Sequence, residues 1–299
     1  MRDQLVELYR RRTSPLEAIP TGASPHTPPL DDIRAVLFDV YGTLVISGSG
    51  DVGTSGTDSQ PDAFAATLKA AGLGHQIALA DGVAGFEQAI RDTHTEAKGA
   101  GIEFPEVEIR EIWRLLLSRF EEAGQLSGSS ELTDEQIARL AIEYEVRTNP
   151  VWPMPGARDC LATLRERGLK LGIISNAQFY TPLMLEAFFD LPVEQLGVEP
   201  ELCYWSYRHR EAKPGRKLYQ LACDRLADMG IAPAQVLYVG NDMLKDVWPA
   251  RAVGFRTALF AGDARSLRRH EGDERIQGVA ADLVITELTQ IADCVVTGA

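Results

Sequence analysis

The feature that most constrains this chain is the run Ala35-Val36-Leu37-Phe38, which stops at Asp39. Four consecutive apolar residues, branched and aromatic among them, read as a strand buried on both faces of a parallel sheet. Asp39 is thereby placed at the carboxyl end of a core strand, where open α/β sheets set their chemistry. Gly42 and Thr43 then let the chain turn away. An aspartate at such a position can be a nucleophile, a metal ligand, or the cap of a turn.

The rest of the chain narrows the setting. Its 299 residues suit one large domain, or a core with a smaller second unit. A formal net charge of -13 argues against nucleic acid or an anionic membrane as partner. No apolar run approaches ~20 residues, so no membrane span is expected. The start, MRDQLVELYRRRTSP, lacks the apolar core and cleavage site of a signal peptide. Cys160, Cys203, Cys223 and Cys294 are widely spaced, with no paired metal-binding pattern, and read as reduced thiols of a cytoplasmic protein.

Taken in order, residues 1–12 form an amphipathic helix with Leu5, Leu8 and Tyr9 on one side. Residues 14–30, rich in proline and small side chains, read as a linker or extended arm, free to pack on the core or on another subunit. Residues 45–60, rich in glycine and serine, read as a flap leaving the active edge of the sheet. From 61 to 149 the period turns helical, with four amphipathic segments and no strand between them. Thr133 and Gln136 make a capping box for the last of these. The basic residues Lys69, Arg91, Lys98, Arg110, Arg114 and Arg119 read as a solvated face. Strands alternating with helices return at 154–177 and continue to the end. The fold class is therefore α/β: a doubly wound parallel, Rossmann-like sheet with an inserted all-helical subdomain. The divisions are 1–32 for helix and arm, 33–60 with 150–299 for the core, and 61–149 for the helical insertion.

Polar groups recur at successive strand ends: Asp39, then Ser175-Asn176, Lys213, and Asn241-Asp242 with Asp246. Each alone has a plain structural reading as turn residue, surface lysine or helix cap. As an ordered set they resemble the haloacid dehalogenase superfamily of hydrolases, through FDVYGTL at 38–44, IISN at 173–176, KP at 213–214 and VGNDMLKD at 239–246. The insertion resembles that superfamily's helical cap. The resemblance spans about residues 33 to 290 and leaves the N-terminal arm unexplained.

The resemblance implies catalytic roles for Asp39, Tyr41, Ser175 and Lys213. Asp39 would attack the substrate to form a covalent aspartyl intermediate that water hydrolyses. Ser175 and Lys213 would bind the developing charge, and Lys213 would hold Asp39 ionised. Thr43, Asn176 and Tyr219 would contact substrate. Asp39, the Tyr41 carbonyl, Asn241, Asp242 and Asp246 would hold Mg²⁺. The partner would be a small anionic substrate; the chain is compatible with a homodimer.

Two departures pull in opposite directions. Family phosphatases carry a second aspartate, a general acid, where Tyr41 stands; a tyrosine near pKa ~10 is a poor neutral-pH donor. In this Tyr41 resembles the 2-haloacid dehalogenases, which need no metal. Yet Asp242 and Asp246 beside Asp39 would repel one another without a cation, which favours Mg²⁺ and hence phosphate. The leading expectation is a Mg²⁺-dependent phosphohydrolase of a small metabolite, an acyl phosphate reconciling both departures. A metal-independent dehalogenase is the alternative, and a catalytically silent assembly module, supported only by the arm, is the third. His94 and His209 are the histidines nearest possible chemistry, and 261–275 reads as an exposed loop and helix.

Overall fold

A computed structural model describes residues 2–48, 60–74 and 76–296. Its centre is a six-stranded parallel sheet. The strands in chain order are β1 (Leu30–Asp31), β2 (Ala35–Phe38), β3 (Val45–Ser47), β4 (Val151–Pro153), β5 (Lys170–Ser175), β6 (Val198–Trp205), β7 (Val236–Gly240), β8 (Arg256–Phe260), β9 (Leu283–Ile285) and β10 (Val295–Val296). The main sheet runs β6-β5-β2-β7-β8-β9, with β2 between β5 and β7. Phe38 lies opposite both Ile173 and Val239, so three strand ends meet where Asp39 begins. The order reverses beside β2, which opens the crevice in which such sheets bind ligands.

The apolar run of β2 is buried throughout because both faces are covered. Val36 and Phe38 join one core with α1 (Arg2–Arg12), while Ala35 and Leu37 join another with Leu218, Ala222 and Tyr238. This alternation is the two-residue period of a strand, masked in sequence because neither face meets water.

Four helices lie between β3 and β4: α2 (Gln60–Ala70), α3 (Leu79–Gly99), α4 (Ile109–Glu122) and α5 (Asp134–Thr148). They share a core of Phe64, Leu68, Phe86, Trp113, Leu116 and Tyr144, separate from those of the sheet. Thr133 and Gln136 cap α5 reciprocally, as their spacing predicts. The basic residues of this layer are largely paired at the surface, Arg91 with Glu87 and Arg119 with Asp92. The remaining helices are α6 (Ala157–Glu166), α7 (Thr181–Phe189), α8 (Ser206–His209), α9 (Lys217–Asp228), α10 (Trp248–Ala252) and α11 (Gln290–Cys294).

One expectation changes and one open choice is resolved. Residues 45–47 are a buried strand paired with β4, not part of a flap; 49–59 lie outside the described residues. The N-terminal segment packs on the chain's own core. Leu5, Val6 and Tyr9 are buried, His26 exchanges both backbone hydrogen bonds with Val284, and β1 pairs with β10. No helix among the described residues is long and apolar enough to cross a membrane.

Candidate active site

Asp39 is fixed before its side chain is considered: its N–H donates to the Val239 carbonyl at 2.9 Å. The chain then turns through Gly42 at φ +82°. A Cβ there would sit 2.6 Å from Ser266 Cβ and 2.7 Å from Asn241 Nδ2, so the turn tolerates only glycine. Thr43 follows, and its hydroxyl donates to Asn241 Oδ1 at 3.1 Å. The first and fourth sequence motifs are thus tied together by their own side chains.

Lys213 is the hub. It is 4% exposed, and its ammonium donates to Asp39 Oδ1 at 2.8 Å, to Asp246 Oδ1 at 2.5 Å and to the Tyr238 hydroxyl at 3.2 Å. All three donors of the ammonium are used. Burial alone would lower its pKa, but Asp246 and Asp39 overcome that and hold it protonated, above the usual lysine range. Asn176 aligns this lysine by its backbone: Oδ1 accepts from Lys213 N at 2.7 Å, and Nδ2 donates to Lys213 O at 3.2 Å.

The fourth motif folds back on itself. A Cβ on Gly240 would lie 2.4 Å from Asp246 Cγ, so glycine makes room for that carboxylate. Asp246 Oδ2 accepts from the Asp242 N–H at 3.0 Å. Burial raises the Asp246 pKa, Asp39 and Asp242 add to the rise, and Lys213 opposes it. Asp242 Oδ1 accepts from the N–H groups of Leu244 and Lys245 at 2.7 and 2.8 Å, capping the single π turn Met243–Val247. His270 Nε2 lies 2.9 Å from the same oxygen.

Asp39, Tyr41, Asn176, Lys213, Asn241, Asp242 and Asp246 therefore line one pocket of about 150 Å³. Three other expected residues do not reach its wall. Ser175 is fully buried, its hydroxyl donating to the Asn176 carbonyl at 3.3 Å. Thr43 is spent on Asn241. Tyr219 lies behind Tyr238, edge-on at 5.1 Å, and donates to the Lys245 carbonyl at 2.8 Å. Tyr41 is on the wall, its hydroxyl 2.9 Å from that of Thr181. Burial, then the nearby Glu145, pushes its phenol well above 10, so it holds its proton more tightly than an ordinary tyrosine.

Three pocket residues were not legible: Lys245, Arg268 and His270. Arg268 N–H donates to the Asn241 carbonyl, and Met243 N–H donates to the Arg268 carbonyl. This sews the loop after β8 onto the fourth motif and corrects its reading as an exposed segment. The one available signal was position, since that loop leaves the carboxyl end of the strand next to β7. His270, rather than His94 or His209, is the histidine at the carboxylates.

Of the residues expected to hold Mg²⁺, Asp246 is bound by Lys213 and the Asp242 N–H, and the Asn241 amide joins Thr43 to the Ser266 carbonyl, while Asp39 Oδ2 and Asp242 Oδ2 take no hydrogen bond from the described residues. Among the described residues no three His, Cys, Asp or Glu side chains are grouped to hold an ion. Lys213 offsets part of the repulsion between Asp39 and Asp246, and Lys245 and Arg268 also line the pocket.

The helical layer is joined to the segment just before Lys213. Backbone hydrogen bonds join Glu106 to Arg210 and Ala212 to Phe104, and Arg210 forms a two-pronged pair with Glu111 of α4.

Comparison with known proteins gives concordant results. A family model described as haloacid dehalogenase-like hydrolase matches residues 33–254. The ribulose-1,5-bisphosphate 5-phosphatase of Halopiger xanaduensis is 27% identical over 144 residues, 48% of this chain and 56% of that protein. Haloacid dehalogenase-like hydrolase domain-containing protein 3 of Xenopus laevis is 28% identical over 144 residues, 46% of this chain and 52% of that protein. The chain spans about half the length of these curated relatives. A solved defluorinating L-2-haloacid dehalogenase aligns with a TM-score of 0.50 at 18% identity, covering 94% of this chain and 98% of that one, a likeness of fold.

Proposed function

The chain belongs to the haloacid dehalogenase-like hydrolase family, and from that premise we propose that it hydrolyses a small phosphorylated compound with Asp39 as nucleophile. One observation carries the reading. Asp39 Oδ1 is held by Lys213 at 2.8 Å, while Oδ2 carries no hydrogen bond from the described residues, and the pocket it lines is rimmed by cations. Asp39 Oδ2 attacks phosphorus; the new O–P bond forms as the bond to the leaving group breaks, and the leaving group takes the electron pair. Water then attacks the aspartyl phosphate, releasing phosphate and restoring the carboxylate. Lys213, Lys245 and Arg268 offset the charge on the transferred group, an effect worth roughly 2.7–4 kcal/mol for one well-placed donor.

Tyr41 restricts the leaving group. Its raised pKa makes it a poor acid, which favours substrates whose leaving group needs no proton, such as acyl phosphates. The relative named a phosphatase supports phosphate over halide. Asp39 and Asp242 would hold Mg²⁺, which when bound would supply further positive charge against the transferred group.

Tyr41 and the protein's own cations also suit a second reading, a metal-independent 2-haloacid dehalogenase. The assembly-module reading loses its support, since the arm packs on its own core. The test is hydrolysis of acetyl phosphate and of 2-chloropropionate side by side, each with Mg²⁺ and with chelator, and with Asp39→Asn as control. Phosphate release dependent on Asp39 supports the proposal, and its response to chelator measures any metal requirement. Chloride release without phosphate release replaces it with the dehalogenase.

A further inference from the structure

A second cavity, of about 280 Å³, adjoins the first: Asn176 and Lys245 line both. Its wall comes mainly from the helical layer, through Phe86, Ile90, Val107, Ile109, Trp113 and Tyr144. The polar side chains on this wall are largely occupied by the protein itself. Gln178 accepts from Ile109 N at 3.0 Å and donates to the Val107 carbonyl at 2.9 Å. Glu106 accepts from Val107 N at 2.9 Å and from the Ser206 hydroxyl at 2.8 Å. Thr148 donates to the Tyr144 carbonyl at 3.0 Å. Glu145 accepts from Asn149 Nδ2 and from the Tyr180 hydroxyl, each at 2.9 Å. Two buried nitrogens on this wall, Trp113 Nε1 and His94 Nε2, have no partner among the described residues. They offer a lone hydrogen bond each, not a row of partners.

From this wall we infer that the substrate's non-transferred part is an apolar, ring-bearing group rather than a polyol; the inference rests on the phosphohydrolase reading for the other end of that molecule. A sugar hydroxyl entering here would lose water and meet groups already satisfied, at a cost of about 1–3 kcal/mol each. A benzene-sized ring meets Phe86, Trp113 and Tyr144, aromatic rings whose centroids lie 4.9 to 5.3 Å apart. It would gain about 25 cal/mol for each Å² removed from water. Charge and apolar surface are thus divided between the two cavities: the phosphoryl group belongs to the smaller one, the ring to the larger.

The test uses three non-hydrolysable probes: benzylphosphonate, 2,3-dihydroxypropylphosphonate and benzyl alcohol. Their binding is measured calorimetrically on the full chain. Benzylphosphonate is expected to bind at least about thirty-fold more tightly than the dihydroxypropyl compound, from burial of one ring. Ala141→Leu, which pushes bulk into the chamber, should cut benzylphosphonate affinity at least ten-fold by overpacking. Ile90→Ser, which makes the same wall polar without adding bulk, should also weaken it, and thermal unfolding of each variant reports that it is folded. Equal affinity for the two phosphonates, or folded variants that keep the ring preference intact, would overturn the inference. Binding of benzyl alcohol without binding of either phosphonate would uphold the apolar chamber and defeat the phosphoryl reading of the smaller pocket.

Discussion

The two cavities of this molecule meet at Asn176 and Lys245 and are built by opposite means. The smaller is made of charges, each fixed by the backbone of a strand-end loop: Asp39 through Val239, Lys213 through Asn176, Asp246 through the Asp242 N–H. The larger is made mainly of side chains from helices that share a core of their own. On the proposed function, chemistry is tied to the sheet, which changes only at great cost. On the inference above, selectivity would be tied to a helical layer whose surface residues can change with the packing kept.

The largest effect should come from Lys213→Met. It leaves Asp39 and Asp246 buried without their cation, which costs about 3–5 kcal/mol of stability, and turnover should fall by about 10²–10³-fold. Chemical denaturation and steady-state kinetics check both. A variant that stays active and stable would show that the carboxylates are balanced by something other than Lys213. Next is Gly240→Ala. Its Cβ would drive Asp246 off the position it holds above the strand end, at about 1–3 kcal/mol. Turnover should fall with stability; a loss of stability alone would detach Asp246 from the chemistry.

On the helical side the effects are smaller. Thr133→Ala removes the cap of α5 and should lower stability by about 1 kcal/mol. If the two regions divide chemistry from selectivity as described, kcat on acetyl phosphate follows only the folded fraction. The smallest effect lies on the boundary. Glu145 is buried, and its pKa is raised by that burial against the pull of Asn149 and Tyr180. A carboxyl raised in the folded state binds its proton more tightly there than in the unfolded chain. Its stabilising effect is complete below the ordinary carboxylate pKa and is lost as pH rises towards the folded value. Glu145→Gln should therefore raise the melting temperature at pH 8 by a few degrees and change it little at pH 4.5. Equal shifts at both would show a role in packing alone.

Much of the sheet side was readable in the sequence because its signals are local. The apolar run before Asp39, and the polar groups that recur at Ser175-Asn176, Lys213 and Asn241-Asp242, mark the strand ends. Four such ends in order bring Asp39, Asn176, Lys213 and Asp246 together whatever the helices do. The same logic misplaced Ser175, Thr43 and Tyr219, because position at a strand end does not say which way a side chain turns. In the structure their hydroxyls go to the Asn176 carbonyl, Asn241 and the Lys245 carbonyl. Arg268 and His270 were hidden because a loop's hydrogen bonds to a motif 27 residues earlier, such as Arg268 N–H to Asn241 O, leave no periodic trace. The Lys213 counter-charge of the acidic cluster likewise comes from a distant part of the chain.

The most direct test of Asp39 as the phosphoryl acceptor is rapid acid quench of the enzyme turning over acetyl phosphate, followed by mass spectrometry of its peptides. One phosphoryl group on the peptide containing Asp39, absent from Asp39→Asn, is the expected result. Phosphate release at the wild-type rate with no modified peptide, or from Asp39→Asn, would contradict a covalent route through this carboxylate.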